Sequence, residues 1–547
     1  MNKAEKRFYI FLVIWICVDF LQAIFTEIHA DEAYYALYGQ FLDWGYYDHP
    51  PMVALLTHFS SLIATGNLSI RLLTIFLHGA TLWLIWKTIQ DEHASIGDIN
   101  DFFIIASSLV MFVFYGFITT PDAPLLFFVA LFFYLYKHYL QNKSWLNAFL
   151  LSVSMTGMLY SKYMAILVIV FTVISNFKLL KDIKLWCAVI LTALAFSPHI
   201  LWQLHNNFPS LKYHLILRND PFDIIYILEY IPNQLLVFNP ICLGLALYFS
   251  WKHRKSKDFF EKACVFNITG FIVFFGLMTI NGHGEPHWTV AISIPILIIL
   301  YQNTRELQWK KRISYLILPF SILILIIRII LCTSILPEST GLAHQKEKMQ
   351  ELHEFCGDTP AVFSSSFQNP SLYRFHTNGT SVALSSIYNR QSQFDILQLD
   401  KDLQGKDVFL FAQITGSTPI NFGGEEFFFT KISHFQGTNR ITTAVNKRQI
   451  EGDSILLDLT FYNLYNQAFD FYHPECPVHI TAYYSSDNQW QTEACKLISN
   501  TNVIPSHDSI AAQVKFKLYY DTPMIISLET IASSPINSEV MTFTKAK

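Results

Sequence analysis

Between residues 27 and 66 the sequence places five carboxylates, Glu27, Asp31, Glu32, Asp43 and Asp48, beside His29 and His49, with no Lys or Arg. A solvated loop normally mixes charge signs, so an acidic cluster without cations points to a carboxylate base, a metal site, or both. The bland reading is an acidic interfacial loop with aromatic anchors. Further polar groups follow. Thr119-Thr120-Pro121-Asp122-Ala123-Pro124 holds an acid just after a proline, where it can also simply cap the next helix. Ser161-Lys162-Tyr163 interrupts an apolar stretch; its lysine either snorkels or holds a phosphate as a point charge. His283-Gly284-Glu285-Pro286-His287-Trp288 offers two imidazoles and a carboxylate. With Asp48, these are weak candidates for a divalent ion, because Pro286 denies them the helical spacing of a zinc motif. Ser197 to Asn207 supplies imidazole and amide groups, whose bland reading is interface anchoring.

The elements that must position these groups are membrane helices. Of 547 residues, 52% are hydrophobic and 15% charged, short of the quarter expected of a soluble chain. A net charge of −4 offers no basic field for nucleic acid. Apolar segments centre on 8–26, 69–89, 101–118, 122–141, 145–160, 163–180, 185–204, 224–250, 259–280, 288–302 and 313–335, about eleven spans. No small-residue cleavage site follows the first, so it is expected to stay as a span. Eighteen Lys and Arg fall on one side, against Arg71, Lys162, Lys212 and Arg218 on the other. The basic side is therefore expected to be cytoplasmic, with the acidic loop and the C-terminal region outside.

The ordered set Asp31-Glu32-Ala-Tyr-Tyr, Gly45-Tyr-Tyr-Asp48-His49-Pro50-Pro51, Thr120-Pro121-Asp122-Ala-Pro124, Ser161-Lys162-Tyr163, Ser197-Pro198…Trp202 and Glu285-Pro-His287-Trp288 resembles bacterial glycosyltransferase family 39. This family contains relatives of protein O-mannosyltransferases and aminoarabinose transferases, with the GT-C membrane fold. Arg390-Gln-Ser-Gln393-Phe-Asp395 extends the likeness to about residues 8–430. The resemblance implies a polyprenyl-phosphate sugar donor and an inverting transfer to a glycolipid, protein or glycan at the outer face of a bacterial cytoplasmic membrane. It implies Asp31 as general base, with Glu32 and Asp122 as further catalytic acids. Lys162 matches a phosphate contact, and Asp48, His49, Tyr163 and His287 join it on the donor side. Asp48-His49 stands where aminoarabinose transferases carry Glu-Lys before proline. A histidine is neutral over much of the working pH range, so phosphate neutralisation falls more heavily on Lys162. The substrate of those relatives does not simply transfer to this chain.

The fold class expected is therefore a polytopic helical membrane protein of the GT-C type, residues 1–336, followed by an α/β region, 337–438, and a β-sandwich-like region, 439–547. Alternating runs such as Ser454–Phe461 and Val478–Tyr484 carry the strand signal. Cys476 and Cys495 are candidates for a disulfide across a short loop in an oxidising compartment. Membrane lipid is a partner of any such chain, and a divalent cofactor stays open. The rival class is a transporter or flippase of a lipid-linked sugar. It predicts charges buried mid-span, and Asp19 and Glu229 answer to that description.

Overall fold

The computed structural model describes residues 2–89, 91–214, 221–305, 310–333, 335–337, 340–386, 390–452, 454–486, 489–517, 523–531 and 540–542. Arg218 lies outside the described residues. The chain divides into two compact units, Met1–Ala343 and His344–Lys547.

All eleven apolar segments of the first unit are helical, but they are not eleven uninterrupted spans. Among the described residues six helices are long and apolar enough to cross a membrane: Lys3–Phe25, Leu68–Ile89, Asp122–Gln141, Ile183–His205, Phe259–Asn281 and Ile313–Leu331. A seventh crossing is counted if the bent pair Ile224–Phe238 and Pro240–His253 makes one span. Local chemistry accounts for the breaks. Asn239 sits at φ 64°, and Pro240 begins a new helix there, so the axis turns by 98°. The stretch 101–118 splits into Ile96–Ser107 and Val110–Phe114, with Leu109 extended between them. Trp145–Ser161 ends where Lys162 takes an extended conformation, φ −159°. The helix Ser293–Thr304 is buried from Ser293 through Tyr301, as an element apolar on every face must be.

Two short helices, Ala30–Gln40 and Met52–Ser61, carry the acidic segment and pack on each other. At their crossing a Cβ on Gly39 would stand 2.3 Å from Thr57 Oγ1, so only glycine permits the approach. Thr57 Oγ1 donates to the Tyr35 carbonyl at 3.1 Å and fixes the register.

The second unit begins with a five-stranded sheet in the order Ser381–Ala383, Ala361–Phe363, Val408–Phe411, Glu425–Ile432, Thr418–Phe422. The first three strands run parallel and the rest antiparallel. Two four-stranded antiparallel sheets follow, one centred on Ser454–Asn463 and Ser509–Lys517, the other on His479–Ser486 and Pro523–Glu529. Leu457, Phe461 and Val514 of one share a core with Ile480, Ala482 and Ile526 of the other. The strict alternation of burial along Ser454–Asn463 is what a two-layer core demands. The candidate pair Cys476 and Cys495 is not joined by a disulfide in this structure. Cys495 is held by its N–H on the Ile480 carbonyl, 2.8 Å, with its sulfur turned to the Glu493 carbonyl.

Candidate active site

The helix Ala30–Gln40 opens with a reciprocal cap. His29 Nδ1 accepts from the Asp31 N–H at 3.2 Å, and Glu32 Oε2 accepts from the His29 N–H at 3.2 Å. Glu32 then goes inward. Its carboxylate receives Arg71 Nε at 2.8 Å and Arg71 Nη2 at 2.5 Å, and Thr119 N–H donates to Oε1 at 2.9 Å. Arg71 also donates to the carbonyls of Ala23, Thr26 and Glu27, and both side chains are fully buried. Glu32, expected as a second catalytic acid, is thus engaged through both oxygens with Arg71, Thr119 and His29 at the start of the helix that carries Asp31. Asp31 itself stays 42% exposed.

The other acids are paired as well. Lys162 Nζ donates to both oxygens of Asp122, at 2.7 and 2.8 Å, with both groups buried. His287 Nε2 stands 4.0 Å from Asp122 Oδ2. Asp48 accepts from the Tyr38 hydroxyl, and its carbonyl meets His214 Nε2 at 3.0 Å. Of the acidic cluster between residues 27 and 66, Glu32 is thus answered in space by Arg71, while Lys162 answers Asp122 on the neighbouring segment.

Electrostatic coupling shows these groups converging. Burial raises the Tyr35 phenol well above its ordinary pKa, and the charges of Asp31, Asp48 and Asp122 raise it further. Burial and then Asp48 do the same to Tyr38. His49 feels Asp48, His214, Lys162 and Asp122 together. Burial dominates and lowers its pKa to about 3; Asp48 opposes the shift, and His214 and Lys162 reinforce it. His49 is therefore a neutral imidazole at ordinary pH, and its Nδ1 is buried without a hydrogen-bond partner among the described residues.

The end of helix Ile183–His205 braces the loop between the two short helices. His199 Nδ1 meets the Trp44 carbonyl at 2.7 Å, and Trp202 Nε1 donates to Asp43 Oδ2 at 2.7 Å. A Cβ on Gly45 would lie 2.4 Å from the Trp202 ring, so the loop passes there only as glycine. Tyr163 belongs to this brace. Its hydroxyl, expected on the donor side, is engaged by His199 Nε2 at 2.8 Å and Gln203 Nε2 at 3.0 Å.

The candidate metal ligands separate. His283 Nδ1 faces Glu229 at 3.5 Å while His287 faces Asp122, and among the described residues no three His, Cys, Asp or Glu side chains gather into a ligand set. Asp19, which kept the transporter reading open, is engaged by Arg328 Nη2 at 2.8 Å. Arg71, Tyr35, Tyr38 and His214 are site residues that the sequence reading did not assign. For Arg71 a signal existed: an arginine within an apolar span is rarely incidental.

The first unit thus brings together the partly exposed Asp31, the buried Lys162–Asp122 pair and the buried imidazole of His49. Residues 48–202 match the family described as dolichyl-phosphate-mannose-protein mannosyltransferase. The fold is similar to that of ArnT from Cupriavidus metallidurans in the apo state, with a TM-score of 0.60 at 9% identity over 78% of this chain and 98% of that one. ArnT bound to undecaprenyl phosphate is similar too, with a TM-score of 0.57 at 10% identity over 77% of this chain and 97% of that one. No curated protein sequence matches the chain. The first unit therefore has the membrane fold of these GT-C structures, and residues 48–202 carry the match to the mannosyltransferase family.

Proposed function

We propose that the protein transfers a sugar from a polyprenyl-phosphate donor to a hydroxyl or phosphate acceptor, with inversion at the anomeric carbon. One observation carries the assignment of the base. Asp31 is 42% exposed, while Glu32, Asp48 and Asp122 are buried and held by Arg71, Tyr38 and Lys162. In this reading Asp31 takes the acceptor proton as the acceptor oxygen bonds to the anomeric carbon. The bond from that carbon to the phosphate oxygen breaks on the opposite face, and the polyprenyl phosphate departs with the electron pair. Lys162 has three N–H donors, two of them on Asp122, which leaves one for the phosphate in a buried setting where its charge counts most. Neutral His49 adds hydrogen bonding rather than charge.

The ArnT likeness, with undecaprenyl phosphate in one of its structures, supports the donor class. The distribution of basic residues along the sequence supports a bacterial cytoplasmic membrane with the site and the second unit on its outer face. The acceptor is a glycolipid, protein or glycan, and docking it is the role proposed for residues 439–547. The test is purified protein with labelled polyprenyl-phosphate sugars and a panel of acceptors, comparing the native chain with Asp31→Asn. Loss of turnover by about 10²–10⁴-fold is expected for a general base. Full activity in the variant sinks the assignment.

A further inference from the structure

Away from these acids, the first unit contains a groove of about 500 Å³ between Lys3–Phe25, Ile96–Ser107 and Lys310–Leu331. Its walls are apolar, Phe11, Trp15, Phe103 and Leu325 among them, and a cation stands at each end, Arg7 and Arg328. The two cations are not equivalent. Arg328 is buried and engaged: Nη2 donates to Asp19 at 2.8 Å, Nε to Gln22 at 3.2 Å, and the guanidinium lies 4.9 Å over the Phe117 ring. Arg7 is half-buried, with Nε on Asn100 Oδ1 at 2.8 Å, and its terminal nitrogens make no hydrogen bond among the described residues. Lys3 and Lys6 share its helical turn against the single acid Glu5, and the sequence opens the facing helix with Lys310, Lys311 and Arg312.

The groove follows the first helix from Arg7 to Val18. Eleven residue steps at about 1.5 Å make roughly 16 Å, about half of a ~30 Å hydrocarbon core. Its length is therefore that of one leaflet, with Arg7, 4.7 Å over the Phe11 ring, at the end where that leaflet meets its headgroups and an ion-paired cation near the midplane.

We propose that this groove is a binding site for an anionic phospholipid of the leaflet at the Arg7 end, one acyl chain lying against Trp15 and Leu325 and the phosphate held by Arg7. The site does not depend on the glycosyltransfer reading. The occupied groove also reaches the catalytic helix through contacts already in place. Gln22, bonded to Arg328, donates to Thr26 Oγ1 at 2.5 Å, and the Thr26 carbonyl accepts from Arg71, which clamps Glu32.

Native mass spectrometry of the full chain, purified from detergent containing equal phosphatidylglycerol and phosphatidylcholine of one chain length, tests the proposal. The native protein is expected to retain one phosphatidylglycerol in preference. Arg7→Gln should reduce that preference about fivefold, the typical worth of one basic residue near a membrane surface. Ser321→Phe, which fills the groove wall, should reduce retention of both lipids. Equal retention of the two lipids by the native protein overturns the proposal, as does an unchanged preference in Arg7→Gln. Displacement of the retained phospholipid by added polyprenyl phosphate also overturns it, since the groove would then serve a donor-type lipid.

Discussion

Replacing Arg71 with methionine isolates the clamp beneath the proposed base. Arg71 makes five hydrogen bonds, two to the Glu32 carboxylate and three to the carbonyls of Ala23, Thr26 and Glu27. Without it Glu32 keeps only the Thr119 and His29 N–H donors, at 2.9 and 3.2 Å, in a place with no access to water. Breaking a buried pair by removing one partner costs ~3–5 kcal/mol, chiefly because the remaining charge is left uncompensated. The expected outcome is a loss of that size in resistance to unfolding by SDS in mixed micelles. The double variant, Arg71→Met with Glu32→Gln, should regain a substantial part of it, because no isolated carboxylate remains. Turnover reports separately. The clamp fixes the first turn carrying Asp31, and a misplacement of about 1 Å lowers rate by ~10²-fold, so the double variant should fold better than it catalyses. A single Arg71→Met variant with native stability and turnover would refute the argument. So would a double variant no more stable than the single one, since the penalty would then not reside in the stranded charge.

Lys162→Met is expected to lower turnover by about 10²–10³-fold, the scale of losing one preorganised donor to a developing charge, in the donor-transfer assay. A loss confined to protein yield would assign Lys162 to folding alone. His49, with a folded pKa of about 3, refuses a proton that the unfolded chain takes near its usual value of about 6.5. The unfolded state therefore binds more protons between those values, and stability falls as pH drops from about 6.5 toward 3. Melting of His49→Asn across pH 7 to 4.5 should show a flatter decline than the native protein; parallel curves would discount the effect. Gly45→Ala forces a carbon against Trp202 at 2.4 Å and should destabilise the protein by roughly 1–3 kcal/mol, as overpacking does. A thermal midpoint unchanged from the native one would contradict this.

The sequence revealed these features unevenly, for physical reasons. Hydrophobicity summed over about twenty residues is a strong signal, so every apolar segment was found as helix. What stops a helix is a local event, such as φ 64° at Asn239 or the extended Leu109, and a sum over a window averages it away. Asp31, Asp48, Asp122 and Lys162 were visible because charge at the edge of an apolar segment is costly and stands out. Their partners were not, because pairing is long-range in sequence. Glu32 lies 39 residues from Arg71, and Asp122 lies 40 from Lys162. The acidic segment 27–66 therefore looked like bare negative charge, when Arg71 on the next long helix supplies a cation to Glu32. Tyr163 shows the converse: its position beside Lys162 suggested a shared ligand, whereas its hydroxyl turns to His199.

The right-angled pair Ile224–Phe238 and Pro240–His253 bears on how this protein enters its membrane. Its arms have 15 and 14 residues, about 22 and 21 Å of helix, and neither crosses ~30 Å of hydrocarbon alone. Val237, Phe238, Cys242, Ala246 and Phe249 at and beyond the corner are buried in the core of the unit. A translocating ribosome that has just released this stretch has therefore made nothing the bilayer accepts as an independent stop. The stretch settles only against neighbours such as Phe259–Met278, which is synthesised after it. The corner of this pair is thus completed by packing on a helix that follows it in the chain.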